Sequence, residues 1–177
     1  MSLVYNVSTL LREEIGATRE YDVDDRALID VDEPRHERVT GHVSLLCTKD
    51  GVLVTAHLRG EQPELCSRCL RSIAVPMGLE LEEEFFATTD IRTGVKLARP
   101  PEPDAFLIGP QQQLDLEEAV RQAWTAALPL QPLCRPDCPG LCPKCGKDWN
   151  DGPCSCVAEE DERWGPLRRL RMEMEGT

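Results

Sequence analysis

Closely spaced cysteines constrain the fold of this chain more than any other feature of its sequence. Eight of the nine cysteines form pairs whose members are separated by one to three intervening residues: Cys66 and Cys69, Cys134 and Cys138, Cys142 and Cys145, and Cys154 and Cys156. The number of cysteines is odd, and residues 1–20 lack the apolar core of a secretion signal, so a disulfide framework is not expected. In a reducing compartment, clustered cysteine pairs are typical metal ligands. The sequence therefore predicts a cytoplasmic metal-binding protein.

The segment Cys142-Pro-Lys-Cys145 has the form of a zinc knuckle. Thiolates at positions i and i+3 reach one ion from a tight turn, in which Pro143 presets the backbone and Gly146 permits a positive φ. Cys154 and Cys156 follow closely after this knuckle. These four cysteines predict one closed, tetrahedral zinc site.

The remaining clustered cysteines are predicted to form a second zinc site that joins a β-sheet to the C-terminal segment. Its members are Cys66, Cys69, Cys134 and Cys138. A rival arrangement groups Cys134 and Cys138 with Cys142 and Cys145, and leaves Cys66 and Cys69 to meet Cys154 and Cys156. The first arrangement is favoured because its shorter loop costs less closure entropy, although the sequence leaves both open.

A site of four thiolates predicts a structural metal rather than a catalytic one, since no coordination position stays open for water. An iron–sulfur cluster with the same ligands is the alternative. Cys66 and Cys69 also match a redox Cys-x-x-Cys motif, but that motif normally opens a helix, whereas Ile73 and Val75 predict a strand. No nucleophile elbow is present. The chain is therefore predicted to be no enzyme and to have no small-molecule substrate.

Alternation of apolar and polar residues between positions 38 and 87 predicts an antiparallel β-meander or partial barrel. Lys49-Asp-Gly51 predicts a hairpin turn, and Cys47 lies on the apolar face as a buried thiol without a binding role. Glu83 lies on the apolar face of the third strand, which predicts a bulge there or an end of the strand before Phe85. In the first 35 residues, a short helix is predicted from Ser8 to Glu14, followed by an acidic loop.

The remainder of the chain predicts a mobile loop, two helices and the cysteine-rich module. Prolines and glutamines in residues 88–113 predict the mobile loop. A helix is predicted from Asp115 to residue 128, with Asp115 and Glu118 as a capping box. Residues 132–157 predict a zinc module within the domain, and residues 158–177 a closing helix. The chain, 1–177, is thus predicted to be a single α+β domain with a C-terminal zinc-ribbon-like module.

The chain is acidic, with a net charge of −12 from 20 Lys and Arg against 32 Asp and Glu. A field of this sign repels phosphate and favours encounter with a basic protein. The closing helix has the one basic spot, formed by Arg163, Arg168, Arg169 and Arg171. No apolar run has the length of a membrane span, so no membrane partner is expected.

An ordered series of motifs runs along the chain from Cys66 to Trp164. Its parts are Cys66-Ser-Arg-Cys69-Leu70, Leu114-Asp-Leu116, Ala127-Leu-Pro-Leu130, Leu133-Cys134, Asp137-Cys138-Pro-Gly-Leu-Cys142-Pro-x-Cys145-Gly146 and Asp161-x-Arg163-Trp164. This series resembles the YceD-like family, the large ribosomal RNA subunit accumulation proteins, and the resemblance extends from about Val39 to Leu170. It implies a role in the accumulation of large-subunit ribosomal RNA, hence in ribosome assembly, without known enzymatic activity.

The resemblance makes a non-catalytic ribosome assembly factor with structural zinc the leading hypothesis. Its partner is then large-subunit ribosomal RNA or a basic ribosomal protein in pre-ribosomes. Two alternatives stay open: a zinc-ribbon protein that binds nucleic acid in the manner of transcription factors, and a thiol oxidoreductase that uses Cys66 and Cys69.

Overall fold

A five-stranded sheet forms the body of the protein. The structure is a computed structural model that describes residues 3–30, 35–98, 100, 102–156 and 162–175. The strands are β1 (Val4–Asn6), β2 (Thr18–Asp30), β3 (Arg35–Cys47), β4 (Gly51–Leu65), β5 (Ser72–Ala87), β6 (Phe106–Ile108) and β7 (Gln113–Asp115), and the helices are α1 (Glu117–Ala127) and α2 (Gly165–Glu175). The main sheet has the order β2-β3-β4-β5-β6, and β1 pairs with β7 in a separate two-stranded sheet. Within these described residues the main sheet stays open, so the fold is α+β but not a closed barrel.

The central hairpin follows directly from the alternating pattern. β3 and β4 pair antiparallel up to Cys47 and Val52, next to the predicted turn at Asp50. Their inward residues form about a third of the main core: Val39, Val43, Leu45, Cys47, Val52, Val54, Ala56 and Leu58. Successive side chains of a strand point to opposite faces, so these positions all lie on one side of the sheet. Cys47 is buried, and this burial raises the pKa of its thiol.

β5 continues through Glu83 without a bulge, contrary to both sequence expectations for this residue. The register with β4 runs unbroken from Leu65↔Ser72 to Gly51↔Phe86, with Glu83 opposite Val54. Glu83 is exposed although its neighbours Leu81 and Phe85 on the same face are buried. A carboxylate is tolerated on this face because its own side chain reaches solvent.

The N-terminal region differs from its prediction, since the acidic residues lie in a strand rather than a loop. β2 pairs antiparallel with β3 along almost its whole length. In place of the helix predicted from Ser8 to Glu14, a short 3₁₀ helix, Leu10–Arg12, lies between β1 and β2. Val23 and Ala27 are buried, whereas Asp22 and Asp24 are exposed. The carboxylates therefore occupy the solvent face of an edge strand, where charge also discourages pairing with other chains.

The predicted loop, residues 88–113, contains ordered pieces in addition to turns. β6 lies in this segment and pairs parallel with the end of β5, from Phe85↔Phe106 to Ala87↔Ile108. A 3₁₀ helix, Pro110–Gln112, precedes β7. The mobility of the segment stays a prediction, as do the domain boundaries.

α1 covers one face of the sheet through Ala119, Val120 and Trp124, all buried. The indole of Trp124 donates a hydrogen bond of 3.0 Å to Oε1 of the buried Gln62 on β4. The predicted capping box is absent: Asp115 accepts the N–H of Glu117 at 2.9 Å, but the Glu118 carboxylate bonds along its own helix.

α2 presents much of its apolar surface to solvent. Trp164, which precedes it, is 57% exposed, and Leu167 and Leu170 are 55% and 52% exposed. Among the described residues, no helix combines the length and the apolar character needed to cross a membrane.

Candidate metal centres

Four cysteines meet at the end of the β4–β5 hairpin, in a group that we call the inner cluster. Its members are Cys66, Cys69, Cys134 and Cys138, whose Sγ atoms all lie within 4.8 Å of one another. Cys66 Sγ is 3.9 Å from Cys138 Sγ, and Cys69 Sγ is 3.7 Å from Cys134 Sγ. Three of the four are buried, and Cys134 is partly buried.

The hairpin turn gives Cys66 and Cys69 their common direction. The Leu70 N–H donates to the Cys66 carbonyl at 2.8 Å, and Leu70 has the unusual φ of +59°. The second knuckle has the same geometry: the Gly146 N–H donates to the Cys142 carbonyl at 2.9 Å, with φ of +71°. A leucine in the left-handed region is uncommon, so the likeness of the two turns was not evident from the sequence.

Hydrogen bonds across the chain hold the second pair of the inner cluster against this turn. The Ser67 N–H donates to the Pro132 carbonyl at 2.8 Å, and the Arg68 guanidinium donates to the Cys138 carbonyl at 2.9 Å. Gly140 approaches the Arg68 backbone so closely that a Cβ there would lie 3.0 Å from the Arg68 carbonyl oxygen. The cluster thus joins the sheet to the C-terminal segment, although its two cysteine pairs are about 70 residues apart in sequence.

The other four cysteines, the outer cluster, converge within the C-terminal segment. They are Cys142, Cys145, Cys154 and Cys156, and their Sγ atoms also lie within 4.8 Å of one another. The Cys142 N–H donates to the Lys147 carbonyl at 2.9 Å, and the Lys147 ammonium reaches the Pro153 carbonyl at 2.9 Å. Cys142 is buried, whereas Cys145 and Cys156 are exposed.

The thiols of each cluster ionise unequally. Backbone N–H donation from Cys69 lowers the pKa of Cys66 to about 6, whereas burial raises the pKa of Cys134 to about 12. In the outer cluster, a hydrogen bond from the Trp149 side chain lowers the pKa of Cys154 to about 6, and the neighbouring Cys145 raises that of Cys156 to about 12. Protein donors alone therefore favour some thiolates in a cluster and disfavour others.

Both clusters fit a divalent metal ion. With Zn–S bonds of about 2.3 Å, the edge of a ZnS₄ tetrahedron is about 3.8 Å long. The Sγ–Sγ distances of 3.7 and 3.9 Å in the inner cluster are close to this value. A bound cation also stabilises all four thiolates together, including those that burial disfavours. Each group of four can therefore hold one metal ion.

The inner and outer clusters contain the same cysteines as the two sites that the sequence analysis favoured on the ground of loop-closure entropy. The rival arrangement is not formed among the described residues. That the eight cysteines are metal ligands remains a prediction. Sequence reasoning missed the side chains around the clusters, namely Arg71, Asp148, Trp149, Asn150 and Asp151. Asn150-Asp-Gly indicated only a turn.

Arg71 fixes this turn to the base of the hairpin. Its guanidinium donates to Asp148 Oδ2 at 2.8 Å and to Asp151 Oδ1 at 2.9 Å. One arginine thereby links the strand that leaves the inner cluster to the turn that leads into the outer cluster. A single cation shared by two carboxylates is a favourable arrangement, although Arg71 is half exposed.

We expect Arg71→Gln to lower the stability of the cysteine-rich segment and so to speed hydrogen exchange there. The change removes both charge-assisted hydrogen bonds but keeps a long polar side chain. Hydrogen exchange at the Trp149 and Asp151 amides measures the effect. Arg135→Gln is the matched control, because Arg135 forms a longer, exposed pair with Asp137 at 3.4 Å. Equal exchange in both variants would contradict the role given to Arg71.

Comparison with known proteins identifies relatives over most of the chain. A match to the YceD family, described as Large ribosomal RNA subunit accumulation protein YceD, covers residues 54–171, about two thirds of the sequence. This region includes both clusters, β5 and α1, and all but the beginning of β4. No solved structure matches the chain at a significant level.

Individual relatives come from bacteria and a plant. Uncharacterized proteins of Mycobacterium bovis and Mycobacterium tuberculosis are 34% identical over 145 residues, which is 82% of this chain. The chain spans 63% of the length of these mycobacterial proteins. A protein of Arabidopsis thaliana named Large ribosomal RNA subunit accumulation protein YCED homolog 1, chloroplastic, is 32% identical over 81 residues, or 45% of this chain and 23% of its own length.

Proposed function

We propose that this chain, which belongs to the YceD family of large ribosomal RNA subunit accumulation proteins, supports ribosome assembly without catalysing a reaction. The observation that carries the proposal is the family match over residues 54–171, which contains every cysteine of both clusters. The function of the chain is thereby tied to the part of the fold that the clusters hold together.

Zinc in both clusters is the second part of the proposal. Four thiolates at tetrahedral spacing suit zinc and complete its coordination, so the ion has a structural role. The inner cluster fixes the C-terminal segment to the β4–β5 hairpin, and the outer cluster orders residues that have few buried apolar side chains of their own. The proposed ligands are the eight clustered cysteines.

The partner in this proposal is large-subunit ribosomal RNA or a basic ribosomal protein in pre-ribosomes, in the cytoplasm. The net charge of −12 and the exposed carboxylates of β2 and β5 favour a basic protein. If the partner is RNA, α2 is the proposed contact surface, because Arg169 is exposed there beside Leu170. No small-molecule substrate and no membrane belong to the proposal.

A thiol oxidoreductase is a second candidate, because the pKa of Cys66 is lowered to about 6. A low pKa is typical of a nucleophilic cysteine. However, Cys66 has 0% exposure, and the Cys69 sulfur faces Cys134 rather than a surface that a disulfide substrate can reach. The burial therefore favours a ligand over a nucleophile.

Depletion of the protein in its source organism tests the assembly function. We expect the ratio of large- to small-subunit ribosomal RNA to fall, and wild-type protein supplied in trans to restore it. A variant with Cys66→Ser and Cys69→Ser should restore it poorly, whereas Cys47→Ser, outside both clusters, should restore it fully. An unchanged RNA ratio on depletion would refute the proposal.

A further inference from the structure

One edge of the main sheet is open along most of β5. On one side, β4 pairs with β5 along almost its whole length. On the other side, β6 pairs only with residues 85–87. Among the described residues, no strand pairs with residues 72–83 on this second side, and no loop backbone bonds to them there. An edge of this kind presents a row of N–H and C=O groups that is a template for another strand.

Hydrogen bonds at the two ends of the β4–β5 ladder show which residues face the open edge. The Cys66 N–H donates to the Arg71 carbonyl at 2.9 Å. The Ala87 N–H donates to the Asp50 carbonyl at 3.0 Å. The register between these ends is unbroken, and the direction of hydrogen bonding alternates along a strand. The odd-numbered residues of β5 therefore bond to β4, and the even-numbered residues direct their backbone groups to the open edge.

The stretch of this edge that can accept a strand lies between Pro76 and Phe85. Gly78, Glu80 and Glu82 are exposed and supply its N–H donors. Glycine consists of backbone alone, so the exposure of Gly78 is exposure of the backbone, and a Cβ there would meet no atom within 4 Å. Pro76 has an even number and lacks an N–H, so it marks one end of the row of donors. Phe85, where β6 begins to pair, marks the other end.

An acidic groove adjoins the end of the open stretch. Its volume is about 460 Å³, and it lies between β5 and the residues that lead into β6. Its lining includes four carboxylates and two aromatic rings: Glu83, Glu84, Glu102, Asp104, Phe86 and Phe106. None of the four carboxylates forms an ion pair with another described residue. The groove therefore suits a basic side chain, whose charge the carboxylates attract and whose stem the rings can contact.

The opposite edge of the sheet, β2, differs because its carboxylates are already paired. Asp22 Oδ1 lies 2.5 Å from His42 Nδ1, and Asp24 Oδ2 accepts a hydrogen bond of 2.7 Å from Arg38. The carboxylates along β5 keep their charge available for a partner. The same charge disfavours a second copy of this chain, since two β5 edges would bring like charges opposite each other.

We propose that the open edge of β5 and the acidic groove bind an extended, lysine- or arginine-containing segment of a partner protein by strand addition. The inference deepens the proposed function and rests on it, because a basic ribosomal protein is one of the partners named there. The added strand lies in line with β6, which already pairs with this edge. Its basic side chains lie beside Glu80 and Glu82 on the solvent face, and one of them enters the groove.

Amide hydrogen exchange of the full-length protein tests the openness of the edge and its occupation. In the free protein, the amides of Gly78, Glu80 and Glu82 should exchange quickly, whereas those of Leu79 and Leu81, which bond to β4, should exchange slowly. The probe is the peptide acetyl-Lys-Val-Lys-Val-Lys-Val-Lys-amide. Its addition should slow exchange at the first three amides. The same peptide with N-methylated lysine amides has the same charge but lacks those donors, so it should bind more weakly and protect none of the three.

Variants separate the backbone contribution from the charge. Gly78→Pro removes one donor of the edge without a change of charge and should weaken peptide binding about fivefold. Glu82→Gln removes a charge but keeps the N–H, and should weaken binding about threefold. Glu20→Gln, at an exposed position of β2, is the control and should leave the affinity unchanged. Slow exchange at Leu79 in each variant verifies that the β4–β5 ladder is intact.

Four results would overturn the inference. Slow exchange at Gly78, Glu80 and Glu82 in the free protein would show that the edge is closed. Equal affinity for the two peptides would show attraction by charge without strand addition. Protection of these amides by a single-stranded uridine oligonucleotide would assign the edge to RNA, and protection that rises with protein concentration alone would assign it to a second copy. None of these results bears on the ribosomal RNA ratio after depletion, so the proposed function fails only in that separate experiment.

Discussion

Removal of the metal with a chelator is expected to unfold residues 132–156 and to leave the five-stranded sheet folded. The main core consists of sheet, α1 and N-terminal side chains, and contains none of the eight clustered cysteines. Among the residues that the structure describes, the buried members of the separate group at the inner cluster are Cys66, Cys69 and Cys138, with Ile73, Leu133, Cys134 and Leu141 packed beside them. So few apolar groups cannot offset the conformational entropy of ordering this segment.

The expected loss of stability is large, because the free energy of metal binding also stabilises the folded form of such a segment. Structural zinc sites in small peptides contribute roughly 10–16 kcal/mol at neutral pH. Elemental analysis should find two zinc ions per chain. Chelation should then remove exchange protection from the Ser67 and Cys142 amides, whose partners are the carbonyls of Pro132 and Lys147. Amides of the β3–β4 ladder should stay protected.

Cysteine variants separate the two ions. Cys138→Ser should reduce the zinc content by the ion of the inner cluster, and Cys142→Ser by the ion of the outer cluster. Cys47→Ser is the control, since its buried thiol lies in the main core. Protection of the Ser67 and Cys142 amides that survives complete metal removal would show that the segment folds without metal. Iron in place of zinc would correct the identity of the metal but not the grouping of the cysteines into two clusters.

The grouping of the cysteines could be predicted because loop closure limits which pairs meet at low entropic cost. Cys142 to Cys156 spans few residues, and little else in that stretch can order the chain. The surroundings of the clusters could not be predicted in this way. Leu70 adopts a conformation that leucine rarely takes, and the hydrogen bond of 3.4 Å from the Asn150 amide to Cys138 Sγ arises only when residues 149–151 pack against the inner cluster.

The sheet shows a similar division. β3 and β4 have inward positions that are apolar almost without interruption, so alternation predicted them directly. β2 is an edge strand whose solvent face contains Asp22 and Asp24, and the acidic composition concealed the alternation of Val23 and Ala27. At Glu83 the sequence predicted a bulge or an end of the strand where β5 is in fact continuous. The sequence could not show that the Glu83 side chain reaches solvent.

Gly41→Ala is expected to destabilise the sheet by about 3 kcal/mol or more. Gly41 lies within β3 opposite Leu58, with a φ of +153°. A Cβ at this position would lie 2.0 Å from the His57 carbonyl oxygen and 3.0 Å from the Leu58 Cα. Both obstacles are backbone atoms of the central strand, so no side chain can move aside and β4 itself must shift. Urea unfolding followed by far-ultraviolet circular dichroism measures the loss.

Gly78→Ala is the matched control, because it adds the same methyl group to the same sheet. Gly78 lies on β5 opposite Arg59, and a Cβ there meets no atom within 4 Å. This variant should leave stability unchanged or raise it by about 0.5 kcal/mol, since alanine restricts the unfolded chain more than glycine does. Equal stability of the two variants would contradict the strain assigned to Gly41.

The Gly41→Ala variant also shows which cluster depends on the sheet. Cys66 and Cys69 project from the β4–β5 hairpin, so displacement of β4 removes the base on which the inner cluster is built. All four cysteines of the outer cluster lie in the segment from Cys142 to Cys156, and none belongs to the sheet. At urea concentrations that unfold the variant sheet but not the wild type, the inner ion should therefore be released while the outer ion is retained. Alkylation of Cys66 and Cys69 ahead of Cys142 and Cys154 is the expected observation, and simultaneous alkylation of both clusters would show that the outer cluster depends on the sheet as well.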